Sequence, residues 1–188
     1  MTRLRHALRR FGRDRHGGAT VEFVVVFPVF VAIFLSSFEA SMVLMRQLML
    51  ERALDLTMRE VRLSPERTFP QAILRRSICE RARILPGCDA SLVVEITAID
   101  RTTYAMPASN AACVDRGGAA VPAGDIVSGV ADQPMLVRVC YAVAPFFPTS
   151  LLGAELAKGG ANAGEFSLVA ASAFAQEPGT ASAGGPSS

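Results

Sequence analysis

From Phe23 to Phe38 the chain runs sixteen residues without a charge, and its apolar character resumes after Glu39 as far as Met45. This stretch limits the possible folds more than any other. A helix needs roughly 20 apolar residues to cross the hydrocarbon of a bilayer, so the run suffices if Glu39 lies near the far interface. Ahead of Gly17 stand six arginines (Arg3, Arg5, Arg9, Arg10, Arg13, Arg15) and one acid, Asp14. That excess predicts a cytoplasmic N-terminus, with everything after about Met45 outside. A basic start and an apolar segment also fit a secretory signal. However, Ser36-Ser37-Phe38-Glu39-Ala40-Ser41 lacks a clean cleavage site, and the helical pattern runs on past it. A retained anchor is the better reading.

Charge separates this leader from the rest. The segment after Gly17 holds thirteen basic against sixteen acidic residues. A slightly acidic body lacks the cationic face that phosphate binding needs, so nucleic acid is not an expected partner.

The spacing predicts one helix from Ala19 to Leu63, interrupted and kinked at Pro28, whose ring removes a backbone hydrogen bond. Its length, roughly 65 Å, exceeds a bilayer, so the outer half must pack on its own domain or on neighbouring copies. Phe38, Met42, Met45, Met49, Ala53 and Leu56 form an apolar stripe at three- and four-residue steps, with Arg46, Arg52, Asp55 and Arg59 on the other sides. Ser64-Pro65-Glu66 opens a second helix, Ser as cap and Pro in the first turn. That helix runs to about Leu85, with Leu74, Ile78, Ala82 and Leu85 on one side, and Pro86-Gly87 ends it. The period then becomes two. Leu92–Ile99, Met135–Val143 and Glu165–Phe174 read as strands, and Val137, Val139, Tyr141 and Val143 share one face. Ala144–Leu152, apolar for a loop, reads as the cover of a sheet edge or, second, as a partner contact. The expected architecture is α+β: a single-pass N-terminal membrane helix extended outward, a second helix and a small antiparallel sheet. The expected units are a basic leader (1–17), the transmembrane part of the long helix (18–45), an extracytoplasmic domain (46–175) and a disordered Gly/Ser/Pro/Ala-rich tail (176–188).

Cys79, Cys88, Cys113 and Cys140 all fall on the outer side, where oxidation is favoured. Four cysteines allow three connectivities. The preferred one joins Cys79 to Cys88 across a short loop and Cys113 to Cys140, tying the long loop between the first two strands to the second strand. Zinc is disfavoured: there is no C-x-x-C, and both histidines, His6 and His16, lie in the leader.

Little points to catalysis. No histidine follows His16, so neither Ser-His-Asp nor Cys-His is available in the outer domain. Glu95 and Asp100 would need to converge to work as a pair. The plainer reading sets Glu95 across the sheet from Arg138. Gly117-Gly118 and Gly159-Gly160 match no phosphate loop. No cofactor, metal or small-molecule substrate is expected.

The junction between leader and apolar run reads Gly17-Gly18-Ala19-Thr20-Val21-Glu22-Phe23. Glycines leave the peptide bond open to a protease that binds it extended. Cleavage after Gly17 would make Glu22 the fifth residue of the mature chain, one helical turn from a new positive terminus. In an assembly that carboxylate could pair with a neighbouring subunit's terminus, which would offset the cost of burying it.

This segment resembles the class III leader of type IV pilin-like proteins. More closely, it is similar to the TadE-like family of the tight-adherence (Flp) pilus system. The resemblance rests on the Arg-rich leader Arg9–Gly17, the G-x-x-x-V-E-F motif from Gly17 to Phe23, Pro28 within the apolar run, and the charged helix Met45–Arg62. It departs from the family pattern in a longer tail. It implies a minor pseudopilin or pilus assembly component of the bacterial inner membrane, its N-terminus cytoplasmic and its C-terminal domain periplasmic. It implies maturation by a prepilin peptidase, with Gly17, Gly18, Glu22 and Phe23 as the processing site. The implied partners are other pilins or pseudopilins and the pilus assembly platform. The alternative is a membrane-anchored periplasmic binding or envelope-structural protein with no pilus role.

Overall fold

The computed structural model describes residues 18–63, 70–104, 113–114 and 134–175. The leader with Gly17, the helix opening at Ser64-Pro65-Glu66, most of the loop between the first two strands and the tail lie outside the described residues.

Helix α1 (Gly18–Arg62) spans 45 residues and runs on through Pro28. Its length and composition suffice to cross a membrane, and none of its most apolar window is buried in the protein. From Glu39 onward α1 changes character and becomes the spine of a small α+β body. Helix α2 (Gln71–Arg81), the single turn α3 (Cys88–Ser91) and strand β1 (Leu92–Ala98) follow. Strand β2 (Pro134–Val143), the short helix α4 (Leu151–Leu156) and strand β3 (Phe166–Ala175) complete it. The sheet is antiparallel, in the order β1-β2-β3. Its register sets Val94 opposite Val139, and Val139 opposite Ala170.

The core lies between the sheet and the helices. Leu50, Leu54 and Met58 of α1 meet Leu74 and Ile78 of α2, and both rest on Leu92, Val94, Val137, Val139, Tyr141, Phe166 and Leu168. The Leu74, Ile78, Ala82 and Leu85 side is wholly buried, although the helix itself stops at Arg81. Leu85 is carried inward by a turn in which its N–H donates to the Ala82 carbonyl at 3.0 Å. Gly87, at φ +62°, then adopts the left-handed conformation that favours glycine, and α3 begins immediately after it.

The packed stripe of α1 differs from the expected one. The buried positions are Glu39, Arg46, Leu50, Ala53, Leu54, Thr57 and Met58, whereas Phe38, Met45 and Leu56 are exposed. Of the expected stripe Ala53 is buried and Met42 and Met49 are half-buried, but most of the packed side lies one residue further on, a rotation of about 100° around the helix. The cause is chemical. Three of the inward positions carry polar side chains, and methionines occupy neighbouring positions, so hydrophobicity alone favours the wrong side. Thr57 meets the requirement of a buried hydroxyl by donating to the Ala53 carbonyl at 2.8 Å.

β2 is buried on both faces from Val137 to Val143, as a middle strand can be. The Ala144–Leu152 segment, expected first at a sheet edge, instead reaches α1, against which α4 packs.

Candidate functional site

The processing motif occupies the start of α1. Gly17 lies outside the described residues, and Gly18 is the first residue of the helix. A Cβ built on Gly18 would meet nothing within 4 Å, so packing within this chain does not demand glycine there. Glu22 is exposed one turn further on. Phe23 is also exposed, and its ring stacks on Phe27 at 5.0 Å. Between Val21 and Phe34, ten large apolar side chains are open to the surroundings. Each contributes roughly 1.5–3 kcal/mol when removed from water. Their sum far exceeds the roughly 2.5 kcal/mol or more that one ionisable group costs even at a bilayer centre. Glu22, near the end of the run, therefore does not prevent insertion.

At the other end of the exposed stretch lies an arrangement the sequence reading missed. Glu39 is fully buried. Its Oε1 accepts the backbone N–H of Phe146 at 2.9 Å and its Oε2 that of Phe147 at 2.7 Å. Two charge-assisted bonds meet much of the carboxylate's need for donors once water is excluded. One turn pair further along, the nearly buried Arg46 donates from Nη1 to the Ala144 carbonyl at 3.3 Å. A carboxylate and a guanidinium seven residues apart on α1 thus hold the backbone of Ala144, Phe146 and Phe147 in the turn after β2. Their spacing was the available signal, because residues seven apart lie almost in line along a helix.

The turn is itself built closely. Ser150 caps α4, accepting from Gly153 N–H at 3.0 Å and donating to the Phe147 carbonyl at 2.9 Å. Gly153 is required here: a Cβ would stand 2.1 Å from the Phe147 carbonyl oxygen.

Away from this junction, Cys79 is joined to Cys88 and Cys113 to Cys140. The first bridge pins α3 to α2. The second holds the Cys113-Val114 segment on β2, and Asn162 Nδ2 adds a bond to the Val114 carbonyl at 2.8 Å. Glu95 stands opposite Arg138 in the register and pairs with it at 2.8 Å. Asp100 is engaged elsewhere. Its Oδ1 accepts from the N–H groups of Thr102 and Thr103, and these bonds hold its carboxyl below the usual range. The two carboxylates named in the sequence as a catalytic possibility thus serve a sheet pair and a turn. Tyr141 donates its hydroxyl to the Pro86 carbonyl at 2.6 Å. Burial pushes its pKa up to about 12, against the opposing effect of Arg46 and with a smaller raising effect from Glu165. Among the described residues no cluster of His, Cys, Asp and Glu is placed to hold a metal ion. An open depression beside the Cys79–Cys88 bridge is lined by Arg76, Glu80, Arg83 and Asp89, which mix both charges.

No curated protein and no solved structure matches the chain in comparison. One family model does, described as TadE-like protein, over residues 17–59. The match starts at the Gly17-Gly18 junction, takes in Glu22, Phe23, Pro28 and Glu39, and ends within the packed half of α1. Over residues 17–59, less than a quarter of the chain, it is similar to TadE-like proteins.

Proposed function

We propose that this protein is a membrane-anchored, pilin-like component of a tight-adherence (Flp) pilus system, matured by a prepilin peptidase after Gly17. It acts through assembly, not through catalysis of its own. The observation that carries the reading is the TadE-like match at 17–59, set on a helix that exposes ten large apolar side chains between Val21 and Phe34. Gly18 supports it further, since nothing within the fold requires a glycine there. Gly17, Gly18, Glu22 and Phe23 form the recognition segment, and Glu22 is the partner of a neighbouring subunit's new amino terminus. Residues 1–17 are the cytoplasmic leader, and the body beyond α1's apolar half stands in the periplasm, where Cys79–Cys88 and Cys113–Cys140 are kept oxidised. Its partners are the inner membrane, the peptidase, other pilins or pseudopilins and the assembly platform.

The test is the N-terminal sequence or intact mass of the protein from membranes with and without the prepilin peptidase. A mature start at Gly18 that disappears without the enzyme is the expected result. A start at Met1 in both strains would refute processing and favour a simple bitopic anchor for an envelope-structural or binding domain.

A further inference from the structure

The turn after β2 meets α1 where its exposed apolar stretch ends. Glu39 directly follows Phe38, and its bonds to the N–H groups of Phe146 and Phe147 fix the turn's height along the helix axis. The Phe38 ring lies 5.8 Å from that of Phe146 and 5.7 Å from that of Phe147. Yet Phe146 remains 53% exposed, Leu151 69% and Phe38 41%. The nine residues Ala144–Leu152 contain no charge.

The segment Gly18–Phe38 contains 21 residues, so at 1.5 Å per residue it measures about 31 Å. The hydrocarbon of a bilayer is about 30 Å thick. A helix that spans with Gly18 at one face therefore brings Phe38, and the turn tied to it, to the other. Aromatic side chains are favoured at that depth. Glu39 can occupy the boundary because its carboxylate faces backbone donors and not lipid.

We propose that the Phe146–Leu151 turn is a lipid-binding foot. Phe146 and Leu151 insert among the headgroups and upper acyl chains of the leaflet that Phe38 reaches, and Glu39 is the positioning residue that holds them there. The proposal rests on reading Gly18–Phe38 as the membrane span. It makes the bilayer surface a second point of attachment for the folded body, beside the helix.

The chain has no tryptophan, so one introduced indole reports its own depth. The full chain is reconstituted in phosphatidylcholine vesicles whose acyl chains carry bromine either close to the headgroup or near the chain end. Three variants are compared: Phe146→Trp at the turn, Phe27→Trp in mid-span, and Tyr104→Trp after β1, at the opposite end of the sheet. The expected result for Phe146→Trp is emission shifted to the blue, lost to the shallow bromines and sheltered from aqueous acrylamide. Tyr104→Trp should respond to acrylamide alone. If Phe27→Trp is quenched by bromine but Phe146→Trp behaves like Tyr104→Trp, the foot is refuted and the span stands. If Phe27→Trp is not quenched, the span fails and the foot with it. Adding Glu39→Gln to Phe146→Trp should lower the shallow quenching while mid-span quenching is kept. Unchanged quenching would refute the positioning role of Glu39.

Discussion

Glu39 shows how one residue can be misplaced by its type. A glutamate beside an apolar run reads as a tolerated charge near an interface, yet here it is buried and bonded to two backbone donors. Replacing it with alanine leaves both N–H groups without their acceptor. Glu39→Ala should cost about 2–4 kcal/mol in denaturant unfolding of the full chain in detergent, since bonds to charged groups contribute roughly 1.5–3 kcal/mol each. A loss under 1 kcal/mol would show that water replaces the carboxylate freely. Tyr141 makes a pH-dependent contribution of the opposite origin. Burial raises its folded pKa to about 12, above the value of about 10 for an unfolded tyrosine. Its contribution is therefore intact below pH 10 and lost as pH climbs through about 12. Stability of the native chain should decline over that window. Tyr141→Phe should remove this share of the decline while lowering stability at neutral pH by about 1 kcal/mol, because the Pro86 carbonyl loses its donor.

Among the elements, those with a simple period were legible. The three strands follow from alternation and fall within a residue of their expected places, and the apolar spacing of the second helix marks its buried side, although the helix described is the shorter Gln71–Arg81. The Glu95–Arg138 pair followed from strand phase. What could not be read was the rotation of α1, because Glu39, Arg46 and Thr57 occupy its inward side and are not apolar. Nor was α4 legible: its six residues come too soon after Pro148 to establish a helical period. The corrected rotation makes a sharp prediction. Leu50→Ala should destabilise the body by about 2–5 kcal/mol, as large-to-small changes in a core do. Met45→Ala, on the expected stripe but exposed, should change stability by less than about 0.5 kcal/mol. Equal effects would restore the other stripe. Gly153→Ala should loosen the turn that carries Phe146 and Phe147, since its methyl would collide with the Phe147 carbonyl. Hydrogen exchange at the Phe146 and Phe147 amides should accelerate in that variant before exchange in β2 changes.

For the whole molecule, the proposed processing and assembly roles of the N-terminus can be tested apart. Glu22→Ala should leave cleavage at Gly17 largely intact, read as unchanged mature mass, while reducing pilus formation. Normal pili in that variant would remove its pairing role. Replacing Gly17 with a bulky residue should leave the chain at full mass. The strongest local signals, arginines, glycines and an apolar run, lie at this end of the molecule, where the apolar helix is seen and the leader with Gly17 lies outside the described residues. The way the body attaches to the helix depends on contacts over a hundred residues apart, such as Phe146 with Glu39, and no local signal encodes them.

One continuous helix supplies both the apolar stretch and the core residues Leu50, Leu54 and Met58. With no linker between them, the body is carried as on a mast and does not hang from a tether. Tilting α1 beyond Pro28 swings the sheet with it. A pull along the axis enters the molecule at its hydrophobic centre, so the load would have to strip β3 and α2 from α1 before the two halves could part.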